Sequence, residues 1–326
     1  MRVFLAGASG AIGNYLVRQL VERGHRVTAT THTAAKVERL RAAGADPVVV
    51  DGLDAAGIRE AVARAEPEAI LHEMTALAGP PNMRRFDEWA AVTSELRTRG
   101  TDHLLAAARA AGIRRVVAQS YAGTNQRQGS ALKTEDEPVD PNPPRAQRRS
   151  TAAIRYLEQA VRGMPEGIVL RYGNLYGPGA SEPLVEMVRA RKMPIIGDGA
   201  GVWSWIHLQD VAVATVAALE RGAPGVYNIV DDEPARVRDW LPYLAEVVGA
   251  RPPLHVPVWL GYLAAGQVGV RLMTQSRGAS NEKARRELGW APVWRSWRDG
   301  FRAALTAPAP APAARRAEAP THGIHG

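Results

Sequence analysis

Apolar residues recur along the first half of the chain with two alternating spacings, one suited to strands and the other to helices. Arg2–Ala6 is a short β-rich run that leads directly into glycines. From Ile12 to Glu22 the apolar positions Ile12, Leu16 and Leu20, with Val17 and Val21, follow a helical spacing, and Gly24 is placed to end that helix. His25–Thr31 predicts a second strand with Val27 and Ala29 on one face, Ala34–Ala43 a helix, and Asp46–Val50 a third strand ending at Asp51. The rhythm continues through a helix at Ile58–Ala65, a buried strand at Glu68–His72 and a long helical region at Phe86–Ala111. A strand at Arg115–Gln119, a helix at Ala152–Arg162 and a strand at Gly167–Arg171 complete it. Strands alternating with helices predict an α/β fold, a doubly wound parallel sheet (Rossmann) covered by helices on both faces.

Beyond Arg171 the pattern loosens. Pro and Gly become frequent, one more strand is visible at Gly225–Val230, and a Pro- and Trp-rich segment runs from Trp240 to Trp297. The organisation expected is a dinucleotide-binding domain over 1–171, with 201–230 returning to it, and a smaller C-terminal substrate-binding subdomain built from 172–200 and 231–305. Residues 306–326 are Ala, Pro and Arg without periodicity, the composition of a disordered tail.

The 326 residues are 46% hydrophobic and 23% charged, as in globular proteins. The absence of cysteine excludes disulfides, thiolate metal sites and cysteine nucleophiles. The apolar run at the N-terminus is too short for a secretory leader, and Val256–Val270, interrupted by Pro257 and Gln267, is too short to span a bilayer. A cytoplasmic protein without membrane partners is expected. The formal charge of +8 comes mostly from scattered arginines, often beside glutamates. That distribution does not suit nucleic acid, and it suits attraction of an anionic cofactor or substrate better.

The first strand, the turn Gly7-Ala8-Ser9-Gly10-Ala11-Ile12-Gly13 and the first helix follow in the order that gives such a motif its meaning. The first glycine allows a tight turn, the second lets backbone approach a pyrophosphate, and the third permits close packing of helix on strand. Free N–H groups and the positive dipole end of the helix complete an anion site. The expected ligand is a nicotinamide dinucleotide. An acid at the end of the second strand would hold the ribose hydroxyls of NAD, but the run there is Thr30-Thr31-His32-Thr33-Ala34-Ala35-Lys36. Thr31, His32 and Lys36 could instead hold a 2′-phosphate, which favours NADP over NAD. Asp51 and Gly52 are placed to meet the adenine, although Asp51 could equally cap a helix. Met74 and Thr75, after the fourth strand, would line the cofactor.

Further motifs carry a resemblance. Arg171-Tyr172-Gly173-Asn174-Leu175-Tyr176-Gly177-Pro178, Gly197-Asp198-Gly199, Trp205-Ile206-His207-Leu208-Gln209-Asp210-Val211-Ala212, Gly225–Ile229 and Leu288–Pro292 join the glycine turn. Together they make the sequence similar to extended short-chain dehydrogenase/reductases of the NAD-dependent epimerase/dehydratase type, from Gly7 to about Phe301. The resemblance implies hydride transfer at nicotinamide C4, with a tyrosine as general acid/base. A lysine four residues later lowers the tyrosine pKa, and a Ser or Thr after the fifth strand bonds the substrate oxygen. It also implies a small-molecule substrate and a homodimer paired through two helices.

The chain departs from that pattern at its centre. None of its eight tyrosines has Lys four residues on, and counting back from Glu158 puts the tyrosine position at Ser150 and the lysine position at Ile154. In Val116-Val117-Ala118-Gln119-Ser120-Tyr121, either Ser120 or Tyr121 takes the substrate-facing place. Tyr121 there could itself be the acid, or it could pack under the loop. Arg97 stands where the family has Asn in the helix before Gly100-Thr101, beside the cofactor. Tyr156 points elsewhere on its helix and is assigned to the core. His72 and His207 read as structural. Trp203 and Trp205, with Arg189 and Arg191, could line a substrate cleft. No metal-ligand spacing is present.

Three functions fit. The leading one is an NAD(P)-dependent oxidoreductase or epimerase-like enzyme acting on a carbonyl or hydroxyl substrate through a rearranged acid. The others are a non-catalytic dinucleotide sensor or scaffold, and a non-redox lyase or isomerase on the same fold.

Overall fold

A computed structural model of the protein describes residues 1–77 and 79–305. Its centre is one parallel sheet of β1 (Arg2–Ala6), β2 (Arg26–Thr31), β3 (Asp46–Val49), β4 (Ala69–His72), β5 (Arg115–Tyr121), β6 (Glu166–Tyr172) and β7 (Gly225–Ile229). The seven strands lie in the order 7-6-5-4-1-2-3. Chain direction across the sheet reverses between β1 and β4, where Leu5 sits opposite Leu71. In such sheets the crevice beyond the strand ends at this reversal is the ligand site.

Alternation along each strand sends side chains to two cores. Leu5, Ala29, Leu71, Val117 and Leu170 face α1 (Ala11–Glu22), α2 (Val37–Ala42) and α6 (Leu208–Arg221). Phe4, Ile70, Val116 and Val169 face α3 (Ala55–Ala65), α4 (Thr101–Ala110) and α5 (Arg148–Arg162). Leu16, Val17 and Leu20 of α1 are fully buried. At about 1.5–3 kcal/mol for each such side chain, their burial fixes the helix under the glycine turn.

A third core gathers Tyr176, Ile195, Ile196, Trp205, Trp240, Leu241, Trp297 and Phe301 from segments after β6. Short strand pairs knit these segments together, among them Asn174–Tyr176 beside Trp205–His207. Residues 306–326, expected as a tail, lie outside the described residues.

The region 86–111 is helical as expected, built from Phe86–Trp89, Ala91–Glu95 and a π turn at Leu96–Gly100 that runs into α4. One expectation needs correction. Tyr156 is not core, being 41% exposed with its hydroxyl donating to Asp102. The buried face of α5 is carried by Ser150, Ala153, Ile154, Leu157, Glu158 and Val161, leaving Tyr156 on the flank beside α4.

Candidate dinucleotide and substrate site

The glycine turn is shaped by three different constraints. Gly7 has φ +92°, and a Cβ there would lie 2.6 Å from the Glu73 carbonyl oxygen. A Cβ on Gly13 would lie 2.3 Å from the carbonyl oxygen of Ala8, so only glycine lets α1 sit this close to the turn. Gly10 is different. Its added Cβ would meet nothing nearer than the Gly7 carbonyl at 3.5 Å, so the protein interior does not demand glycine there. Gly10 is exposed and serves as the N-cap of α1 without a side-chain cap. The N-terminal turn, with Ala11 and Ile12, therefore presents its N–H groups outward beside an open backbone, which fits a pyrophosphate.

At the end of β2 the Thr31 hydroxyl donates to the buried Ser9 hydroxyl at 3.0 Å and accepts from Thr33 N–H. Lys36 Nζ and Arg39 Nη2 both reach the Ser9 carbonyl, at 3.5 and 3.1 Å. The one nearby acid, Glu38, pairs with Arg41. His32 is exposed at the same corner. Arg39 was not anticipated from sequence, although its place three residues after Lys36 put both on one side of a helix.

Asp51 holds a tight turn by accepting from Leu53 N–H, while the helix cap is Asp54, which accepts from Ala56 and Gly57 N–H. Of the two roles left open for Asp51, helix capping is thereby removed. Gly52 is buried, and its added Cβ would meet Met74 Sδ at 2.4 Å, so Gly52 and Met74 pack against each other. Thr75 is exposed. Arg97 lies in the π turn with its Nε buried and unpartnered, and burial pushes its pKa down to about 10 against the opposing charge of Glu158. π turns inside helices often mark functional positions.

His72 is a satisfied structural histidine. Its Nδ1 accepts from Met74 N–H at 3.3 Å, its Nε2 lies 3.0 Å from the Thr101 hydroxyl, and burial lowers its pKa to about 4. His207 Nδ1 accepts from Gln209 N–H and caps α6. Glu73, next to Gly7, is a buried acid that sequence reasoning passed over. Burial raises its pKa to about 8, and it accepts the Tyr172 hydroxyl at 2.9 Å.

On the side expected to hold the substrate, the polar side chains pair with one another. β5 runs to Tyr121, so Ser120 and Tyr121 fall on opposite faces. Ser120 donates to Glu158 at 2.7 Å, and Glu158 forms a two-pronged pair with buried Arg171 at 2.9 and 2.7 Å. Tyr121 turns the other way and donates to Asn174 Oδ1 at 2.8 Å. The Asn174 amide in turn donates to the Ser204 carbonyl. Burial pushes the Tyr121 pKa up to about 12. Ser150 and Ile154, the positions on α5 reckoned from Glu158, are both buried; the Ser150 hydroxyl donates to the Gln147 carbonyl.

Tyr121, Asn174, Trp203, Ser204, Leu272, Ser276 and Arg277 line a slot beyond the sheet end. Trp203 is among the residues lining this slot. Trp205 is not, because Trp240, Phe301 and Tyr176 enclose its ring. Arg189 bonds the Val248 carbonyl, and neither it nor Arg191 lines this slot.

Comparison with known proteins accords with this geometry. The sequence model of the NAD dependent epimerase/dehydratase family matches residues 3–230. A Streptomyces protein, 3-diazoavenalumate denitrifying reductase, is 43% identical over 310 residues, covering 92% of this chain and 99% of its own length. The 2-alkyl-3-oxoalkanoate reductase of Stenotrophomonas maltophilia is 28% identical, covering 77% of this chain and 76% of its own. Among solved structures, UDP-glucose 4-epimerase of Thermus thermophilus in complex with NAD has a TM-score of 0.72 at 25% identity, covering 94% of this chain and 98% of the other. The Thermotoga maritima UDP-glucose 4-epimerase with UDP-glucose has a TM-score of 0.73 at 23% identity, covering 94% and 97%. The chain belongs to the NAD-dependent epimerase/dehydratase family and is an NAD(P)-binding enzyme of the oxidoreductase or epimerase kind.

Proposed function

We propose that this protein is an NADPH-dependent reductase whose substrate accepts hydride without needing a proton, namely an aryl diazonium compound that leaves as the arene and dinitrogen. The observation that carries the reading is the absence of a free acid where the family's tyrosine and lysine stand. Ser150 and Ile154 replace them, and the Tyr121 proton is committed to Asn174. The 43%-identical relative, whose name specifies denitrifying reduction of a diazo compound, supports the same substrate class.

Bound as NADPH, the cofactor would supply one hydride. For a diazonium the balance closes without any proton: the C–N bond breaks, a C–H bond forms, and nitrogen departs neutral. A ketone accepting the same hydride becomes an alkoxide and must take one proton, the step for which a general acid is built.

The protein's part is then to bind and orient. Gly7, Ser9, Gly10, Ala11, Ile12 and Gly13 would hold the pyrophosphate, and Lys36, Arg39 and His32 the 2′-phosphate. Tyr121, Asn174 and Trp203 would form the wall against which a flat ring lies. Ser120 belongs to the Glu158–Arg171 network behind that wall and contributes stability.

A second reading is kept by one observation, the position of Tyr121 in the slot lining: it would make Tyr121 the acid of a ketone reductase. Counting protons separates the two. NADPH consumption is followed by absorbance, with a pH indicator in weak buffer, using an arene diazonium salt and a β-keto ester in turn. Diazonium turnover with evolution of nitrogen and no proton uptake is the expected result, with Tyr121→Phe retaining the rate within about threefold. Turnover of the keto ester alone, with one proton taken up per NADPH and loss of activity in Tyr121→Phe, would sink the proposal.

A further inference from the structure

We infer that the outer end of the substrate groove is a carboxylate subsite formed by Arg271 and Arg277, selecting an aromatic acid as substrate; this rests on the reductase reading for the reaction but not for the binding. Next to the slot at Tyr121 lies a cavity of about 360 Å³ lined by Gln126, Arg127, Asp140, Asn142, Arg271 and Arg277, among others. A neck between them includes Gly123, Leu272, Ser276 and Arg277. Leu272, Ser276 and Arg277 line both the slot and the neck, whose free volumes are only about 10 and 20 Å³, and Arg277 also borders the outer cavity, so aromatic walls and a basic mouth lie in line along a path that must widen to admit more than a water.

The charges in that mouth do not balance. Arg127 pairs with Asp140 at 2.6 Å. Arg271 donates through Nη1 to the Asn142 carbonyl, and Arg277 donates through Nε to the Arg127 carbonyl. Among the described residues neither guanidinium has a carboxylate within ion-pair distance, although both are only half exposed. Burial lowers the pKa of Arg127, and the like charge of Arg271 across the cavity adds to that lowering against the opposing charge of Asp140. Half-buried guanidiniums anchored by backbone carbonyls, with their other N–H groups free, are pre-set for a planar anion. The opposite end is walled by the Tyr121 and Trp203 side chains, which would pack on a flat ring once the slot widens. A rigid molecule with an aromatic ring at one end and a carboxylate at the other joins these two features.

The test uses the protein loaded with NADP⁺ and measures, by calorimetry, the binding of cinnamate and its neutral isostere cinnamamide. Cinnamate should bind at least about tenfold more tightly. Arg271→Gln and Arg277→Gln should each remove most of that preference while leaving NADP⁺ affinity, the control for an intact fold, unchanged. R277K should restore part of it. Equal affinity for acid and amide, a preference that survives both glutamine variants, or tighter arginine-dependent binding of UDP than of cinnamate would overturn the subsite. Because no turnover is involved, the two claims fail separately. A missing acid preference overturns the subsite even where NADPH is consumed with a diazonium salt, and a protein inert toward diazonium salts can still distinguish acid from amide.

Discussion

Replacing Lys36 and Arg39 by glutamine tests the cofactor assignment most directly. Both cations converge on the Ser9 carbonyl from α2 and the turn before it, within 3.5 Å, and Glu38 between them is already paired with Arg41. Among the described residues neither Lys36 nor Arg39 has a carboxylate within ion-pair distance. A charge-assisted hydrogen bond contributes about 1.5–3 kcal/mol. Arg39 is exposed and Lys36 half-buried, so the lower end applies, which corresponds to roughly tenfold in affinity for each residue. The double variant should bind NADPH about a hundredfold more weakly, with the loss shrinking at high salt. NADH lacks the 2′-phosphate, and its affinity should change by less than about threefold. Fluorescence titration of both reduced cofactors against wild type, the two single variants and the double variant gives the four dissociation constants needed for each. Parallel loss for NADPH and NADH would show that these residues support the turn and not a phosphate. Tighter binding of NADH by the wild type would remove the preference altogether.

Two further outcomes follow from buried groups. His72 has a folded pKa of about 4 against an ordinary 6.5, so the fold favours its neutral form. The stability this gives is complete above pH 6.5 and is lost as pH falls from 6.5 toward 4, by about 3 kcal/mol in all. Urea midpoints measured over that range should fall more steeply for wild type than for His72→Gln; parallel profiles would refute the linkage. Glu158→Gln leaves the Arg171 guanidinium, 4% exposed, without a carboxylate, its acceptors then being neutral: the new amide oxygen, Asn125 Oδ1 and the Glu137 carbonyl. It should cost about 3–5 kcal/mol in urea unfolding, and a loss below about 1 kcal/mol would show that the pair is dispensable.

What could be read from the sequence divides according to how local its cause is. The turn at Gly7, Gly10 and Gly13 was legible because the spacing of the glycines between strand and helix is local, and the left-handed φ of Gly7 and the contact of Gly13 with Ala8 arise within it. So was the register of Ser150, Ile154 and Glu158, which depends only on helical spacing. The orientation of Tyr121 was not legible, because its partner Asn174 lies 53 residues away and β5 extends two residues past Gln119. Trp205 misled for a similar reason: its covering residues, Trp240 and Phe301, come from distant segments. In the sequence, nothing singled out the arginines of the outer cavity. Only folding brings Arg127 and Arg277, 150 residues apart, to one rim.

The lost tyrosine and lysine and the retained scaffold are then not in conflict. A hydride needs its donor held and its acceptor placed, and the residues suited to both tasks are present: an open glycine turn, two cations at the end of β2 and a walled slot. A proton donor is a separate requirement, imposed by acceptors that gain negative charge. An acceptor that arrives already cationic does not impose it, since hydride cancels its charge. Keeping a phenol of depressed pKa beside such an electrophile would also supply a competing nucleophile in the phenolate. Locking Tyr121 in its neutral form on Asn174, with a pKa pushed up to about 12, has the opposite effect. On the proposed diazonium reading, a serine in the tyrosine's place and a Tyr121 held neutral on Asn174 would serve one end: a pocket that hands over hydride and keeps the Tyr121 phenol from reacting with the substrate.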